Sequence, residues 1–166
     1  TLHEKYNIPF ILMGDFNARS GNLSDRPDHL DAHNTDLPVA PRFSKDKKVE
    51  TYGRNLIKMC RDLNLKIING CYGSDSGIGN FTCHKKNRGN LNESVVDYCI
   101  LSECLLPCVS DFCVDTFDRC MSDVHSPILL DVKNVPVVKN VPNLHNENYE
   151  KIPYKSIWKP ESKIQY

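Results

Sequence analysis

Asp15 and Asn17 stand two residues apart at the end of the apolar run Phe10-Ile11-Leu12-Met13-Gly14. Side chains alternate along a strand, which puts Ile11, Met13, Asp15 and Asn17 on one face and Phe10, Leu12, Gly14 and Phe16 on the other. One face therefore passes from core to chemistry. A carboxylate offers a hard oxygen that takes a proton or a divalent cation, and the carboxamide beside it offers a neutral donor for an anionic oxygen. Such a pair suits a phosphate ester. Gly-Asp-x-Asn is also ordinary turn chemistry, because all three residue types tolerate left-handed backbone. An EF-hand loop is excluded: counting from Asp15, the sixth position is Ser20 rather than Gly and the twelfth is Arg26 rather than Glu.

Two further polar stations interrupt apolar runs. Asp97 lies in Ser94-Val95-Val96-Asp97-Tyr98-Cys99-Ile100-Leu101, on the face shared with Val95, Cys99 and Leu101. An ionised carboxylate there needs a partner, either a structural one or a catalytic one. His125, in Ser122-Asp123-Val124-His125-Ser126, is the candidate. A carboxylate accepting from one imidazole nitrogen fixes the tautomer and leaves the other nitrogen to face a phosphate oxygen or a leaving group. A Ser-His-Asp hydrolase is the weaker reading, since neither Ser122 nor Ser126 has nucleophile-elbow glycines around it.

These stations need elements to hold them. The run before Asp15 reads as a buried strand, and Ser20 to Lys48, rich in Asp, Asn, Pro and Gly, as a long surface excursion whose Lys45-Asp46-Lys47-Lys48 run is a solvated patch. Thr51 caps a predicted helix from Tyr52 to about Asn64, with Leu56, Ile57, Cys60 and Leu63 at helical spacing. Leu65 to Gly70 reads as a strand ending in an Asn-Gly turn. Asn80 to Cys83 reads as a strand, His84 to Asn90 as a basic loop, and Ser94 to Leu101 as the strand that completes a hairpin. Val109 to Phe117 and Pro127 to Val132 are the last strands. The fold class expected is α/β.

With 40% hydrophobic and 25% charged residues in 166, the chain is long enough for one domain with a sizeable core, assigned to 1–132, with 133–166 as linker or tail. Lys133-Asn134-Val135-Pro136 recurs as Lys139-Asn140-Val141-Pro142, and helix and strand periodicity ends there. Equal numbers of acidic and basic residues, 21 each, exclude a uniformly basic nucleic-acid binder, so any such contact is local. No signal-peptide pattern opens the chain and no apolar run approaches membrane-spanning length, so no membrane is expected. Eight cysteines without a CxxC pair read as buried reduced thiols of an intracellular protein.

The order Gly14-Asp15-Phe16-Asn17, Ser94 to Tyr98, then Ser122-Asp123-Val124-His125-Ser126-Pro127 resembles the endonuclease/exonuclease/phosphatase family. It is similar in particular to the C-terminal part of the apurinic-type endonuclease domain of non-LTR retrotransposons, as are Tyr52-Gly53-Arg54-Asn55-Leu56 and the strand after them. The resemblance covers about Pro9 to Val132. It implies a DNase I-like two-sheet sandwich flanked by helices, of which this chain carries the C-terminal half, the family's cation-binding Glu lying in an upstream half.

The resemblance further implies a metal-dependent phosphodiesterase, in first place a DNA-nicking endonuclease of a retroelement, with Mg²⁺ (or Mn²⁺) as cofactor, DNA as partner, a fused reverse transcriptase downstream, and a nuclear location. A phosphatase of the same fold and a catalytically degenerate nucleic-acid-binding remnant are the alternatives. By resemblance Asp15 orients or deprotonates water, Asn17 holds a phosphate oxygen, Asp97 orients His125, His125 stabilises charge on phosphorus, Thr82 lies by the phosphate and Asp123 by the metal. Lys85, Lys86 and Arg88 sit where the retroelement enzymes carry a hairpin that probes the minor groove. Relatives have Asp and His contiguous, whereas Val124 intervenes here, so one of the two is expected to turn away unless a bulge absorbs the shift.

Overall fold

The computed structural model describes residues 9–26, 40–87, 89–120 and 122–134, all within a compact unit spanning Thr1–Pro136. Arg88 and the expected tail from 135 onward lie outside the described residues. The architecture is mixed α/β with small antiparallel sheets. Strand β1 (Ile11–Asp15) and β2 (Leu65–Ile67) flank β5 (Asp97–Ser102) in a three-stranded sheet. Helix α1 spans Thr51–Asp62, β3 (Cys83–Asn87) pairs with β4 (Asn90–Ser94), and β6 (Val109–Val114) pairs with β7 (Ile128–Val132).

The three-stranded sheet is the middle layer. On one side α1 buries Leu56, Ile57 and Cys60 against Leu65, Ile67, Tyr98 and Ile100. On the other, Cys99 and Leu101 meet Val109 and Phe112, with Ile128, Leu130 and Val132 of β7 packed alongside. Each fully buried Leu or Ile contributes about 1.5–3 kcal/mol, so the two clusters are what keep the layers together. β5 runs through both and is buried along its whole length.

Several expectations are revised. β1 is an edge strand among the described residues, with Leu12 and Met13 37% and 42% exposed, because its apolar run borders β5 on one side and no described strand on the other. Thr51 is the first helical residue rather than the cap, and Glu50 holds the cap position. His84 to Asn87 are strand, not loop. The hairpin is β3–β4, turning at Gly89 with φ +85°. Its strands are polar on both faces, so no period-two hydrophobic pattern announced them. The cysteines are free, but the four beyond residue 100 are exposed or half-buried rather than core thiols. No described helix is long and apolar enough to cross a membrane.

Candidate active site

Antiparallel pairing of β1 with β5 sets Asp15 directly opposite Asp97. The third station arrives by a different route. Cys83 and His125 form an antiparallel bridge, the His84 N–H donates to Val124 O (2.7 Å), and the Ser126 N–H donates to Thr82 O (2.9 Å). The loop is thereby sewn to the start of β3. This sewing presents His125 between the two carboxylates: Nδ1 lies 2.9 Å from Asp97 Oδ2 and Nε2 lies 4.0 Å from Asp15 Oδ2.

The bond lengths assign the roles. An ionised Asp97 can only accept, so Nδ1 of His125 carries the proton in that bond. At 4.0 Å, Nε2 and Asp15 Oδ2 are too far apart for a direct hydrogen bond, so a ligand oxygen in the cleft can be approached by both. Asp97 is itself held from behind. Thr82 Oγ1 accepts from the N–H groups of Val96 and Asp97, and Asn69 donates to Asp97 O while accepting from the Cys99 N–H.

Asn17 reaches the site by a turn. β1 ends at Asp15, Asn17 then adopts φ +47°, and its N–H donates to Asp15 Oδ1 at 2.7 Å. The turn chemistry and the site are the same residues. Asp15, Asn17, Lys85 and His125 line one open cleft of about 220 Å³, together with Arg19 and Glu50, which sequence reasoning passed over.

Arg19 is fixed by Asp46. Its Nε and Nη2 donate to the two carboxylate oxygens at 2.7 and 2.6 Å, and the N–H groups of Val95 and Lys48 add further bonds. Asp46 is buried, not part of a solvated patch. Burial pushes its carboxyl up, but Arg19 and the two backbone donors outweigh that and hold it below the usual carboxylate range. A depressed folded value gives stability that is complete above the ordinary carboxylate pKa of about 4 and is lost as pH falls through the folded value. Acid melting curves should therefore show a loss of stability beginning below about pH 4 that is missing in Asp46→Asn, a variant already weaker at neutral pH.

Other expected residues go elsewhere. Thr82 is fully buried and serves β5 from beneath, so it does not reach a ligand. The intervening Val124 keeps His125 on Asp97 and sends Asp123 away from the cleft. Asp123 is exposed, in a separate groove with Lys86 and Arg119. Strand alternation likewise divides Lys85 from Lys86. Among the described residues no three His, Cys, Asp or Glu side chains gather to hold a metal ion. A hydrated Mg²⁺ shared with a substrate phosphate asks for one or two carboxylates, and Asp15, half-exposed in the cleft beside His125, is one carboxylate placed for that.

No protein-family model, curated protein or solved structure matches the chain. Fold and site together define a mixed α/β protein with a carboxylate-held histidine facing a second carboxylate across an open polar cleft.

Proposed function

We propose that the cleft hydrolyses phosphodiesters, with DNA nicked on one strand as the substrate and a DNase I-like sandwich as the parent fold. The observation that carries this is His125 held by Asp97 with Nε2 turned toward Asp15. As an imidazolium, His125 donates through Nδ1 to Asp97 and through Nε2 to a phosphoryl oxygen, where charge grows as the phosphorus becomes five-coordinate. Asp15 accepts a proton from the attacking water, and the Asn17 amide donates to a non-bridging oxygen. Lys85, exposed on the hairpin wall, meets the phosphate backbone. A cation bound by Asp15 would supply charge neutralisation at the phosphate.

The test is nicking of supercoiled plasmid by the whole chain in Mg²⁺ and in chelator, beside Asp15→Ala. Nicking that needs Mg²⁺ and falls at least ~10²-fold in the variant is expected. Equal nicking by the folded variant, or turnover of soluble phosphoesters with none of duplex DNA, would overturn the reading.

A further inference from the structure

A second histidine relay stands beside the first. His84 and Glu93 face each other directly across the β3–β4 pairing, and His84 Nδ1 lies 2.9 Å from Glu93 Oε1. Its Nε2 lies 3.1 Å from Ser126 Oγ. We propose that Ser126 is an activated nucleophile, with His84 as its base and Glu93 as the group that orients the base. The substrate class is small carboxylic esters.

Hydrogen-bond inventory sets the direction. An ionised Glu93 accepts and cannot donate, so Nδ1 of His84 holds the imidazole proton and Nε2 presents its lone pair. The Ser126 hydroxyl then donates to Nε2. A nucleophile within reach of a base, the base in turn fixed by a carboxylate, is the arrangement that defines this chemistry whatever the fold. The absence of elbow glycines around Ser126 removes one way of building it, not the geometry itself.

The parts are rigid, and Ser126, although only 5% exposed, borders a recess. The His84 ring stacks on Phe117 with centroids 4.9 Å apart and planes at 28°. The backbones of His84 and Ser126 are tied into the bridge that carries His125. Ser126, His84 and Glu93 line an open recess of about 280 Å³, which has room for a short acyl group. Lys45 lines the same recess, and its ammonium carries three protons, one of which goes to Asn80 Oδ1. The remaining charge can meet a developing oxyanion.

In the reaction Ser126 Oγ bonds to the ester carbonyl carbon and its proton passes to His84 Nε2. The imidazolium returns that proton to the departing alkoxide, which leaves as alcohol. Water then adds to the acyl-serine, giving its proton to His84, and the carboxylic acid departs as Ser126 Oγ is reprotonated.

The experiment is labelling of the whole chain, in chelator, with a biotinylated fluorophosphonate, which bonds to an activated serine with loss of fluoride. One adduct mapped to Ser126 is expected, absent in S126A, at least ~10²-fold slower in H84Q, and slowed in E93Q. No adduct on the native chain, an adduct on another residue, labelling of H84Q at the native rate, or equal labelling of heat-unfolded chain would each overturn the proposal. The native-against-unfolded comparison decides the matter without any variant having to fold. Chelator removes cation-dependent cleavage, so this outcome is independent of the phosphodiester reading.

Discussion

His125→Ala is expected to lower phosphodiester cleavage by at least ~10²–10³, the loss typical of removing one preorganised group that bears on transition-state charge. Asp97→Asn is expected to cost up to about 10⁴, by analogy with hydrolases whose histidine loses its orienting carboxylate. Both effects belong to turnover rather than to folding. The loop carrying His125 is held by backbone bonds from Thr82 and His84, which a side-chain truncation leaves in place. Asparagine at 97 keeps the shape of the residue and the N–H that donates to Thr82. It also presents an amide that can donate toward Nδ1 and invert the tautomer. Single-turnover nicking rates with circular dichroism on each variant separate the two. A folded His125→Ala protein that nicks at near-native rate would remove His125 from the mechanism, and an Asp97→Asn protein doing so would remove the relay.

The three stations were legible because each is a polar side chain at an abrupt edge of an apolar run, a local signal that survives without tertiary knowledge. Asp97 and His125 could be paired on cost alone, since a carboxylate on an apolar strand needs a partner. What was not legible is long-range. Asp46 sits within a basic run that looks solvated, and its partner Arg19 is 27 residues away. Asn69 looks like turn punctuation, yet its side chain clamps β5. Serine-histidine chemistry was weighed on sequence neighbours, whereas the relay at Ser126 depends on a histidine 42 residues upstream. The edge position of β1 was hidden for a related reason: an apolar run declares burial but not which of its sides has a neighbour.

Gly53→Ala should destabilise the protein, against the ordinary rule for a glycine inside a helix. Helix propensity alone favours alanine by about 1 kcal/mol. Here the added Cβ would lie 1.9 Å from Arg19 O, 2.4 Å from Arg19 C and 2.8 Å from Ser20 N. All three are backbone atoms, so no rotamer change relieves the clash. Either the first turn of α1 or the Arg19–Ser20 segment must move, and overpacking of this kind costs about 1–3 kcal/mol or more. The segment is poorly placed to give way. Glu50 N–H donates to Arg19 O, Ser20 bridges Val49, and the Ser20 hydroxyl bonds Tyr98 in the core. The packing term therefore exceeds the propensity term, and the net change is a loss. Because Arg19 and Glu50 both line the cleft, displacement of the helix also separates two of its walls. Asn55→Ala, at an exposed position of the same helix, isolates the propensity term and should be neutral or stabilising by a few tenths of a kcal/mol, roughly. Urea midpoints of the two variants against the parent chain measure the difference in sign, and a Gly53→Ala protein as stable as the parent would mean that α1 does not need to approach the Arg19 backbone so closely.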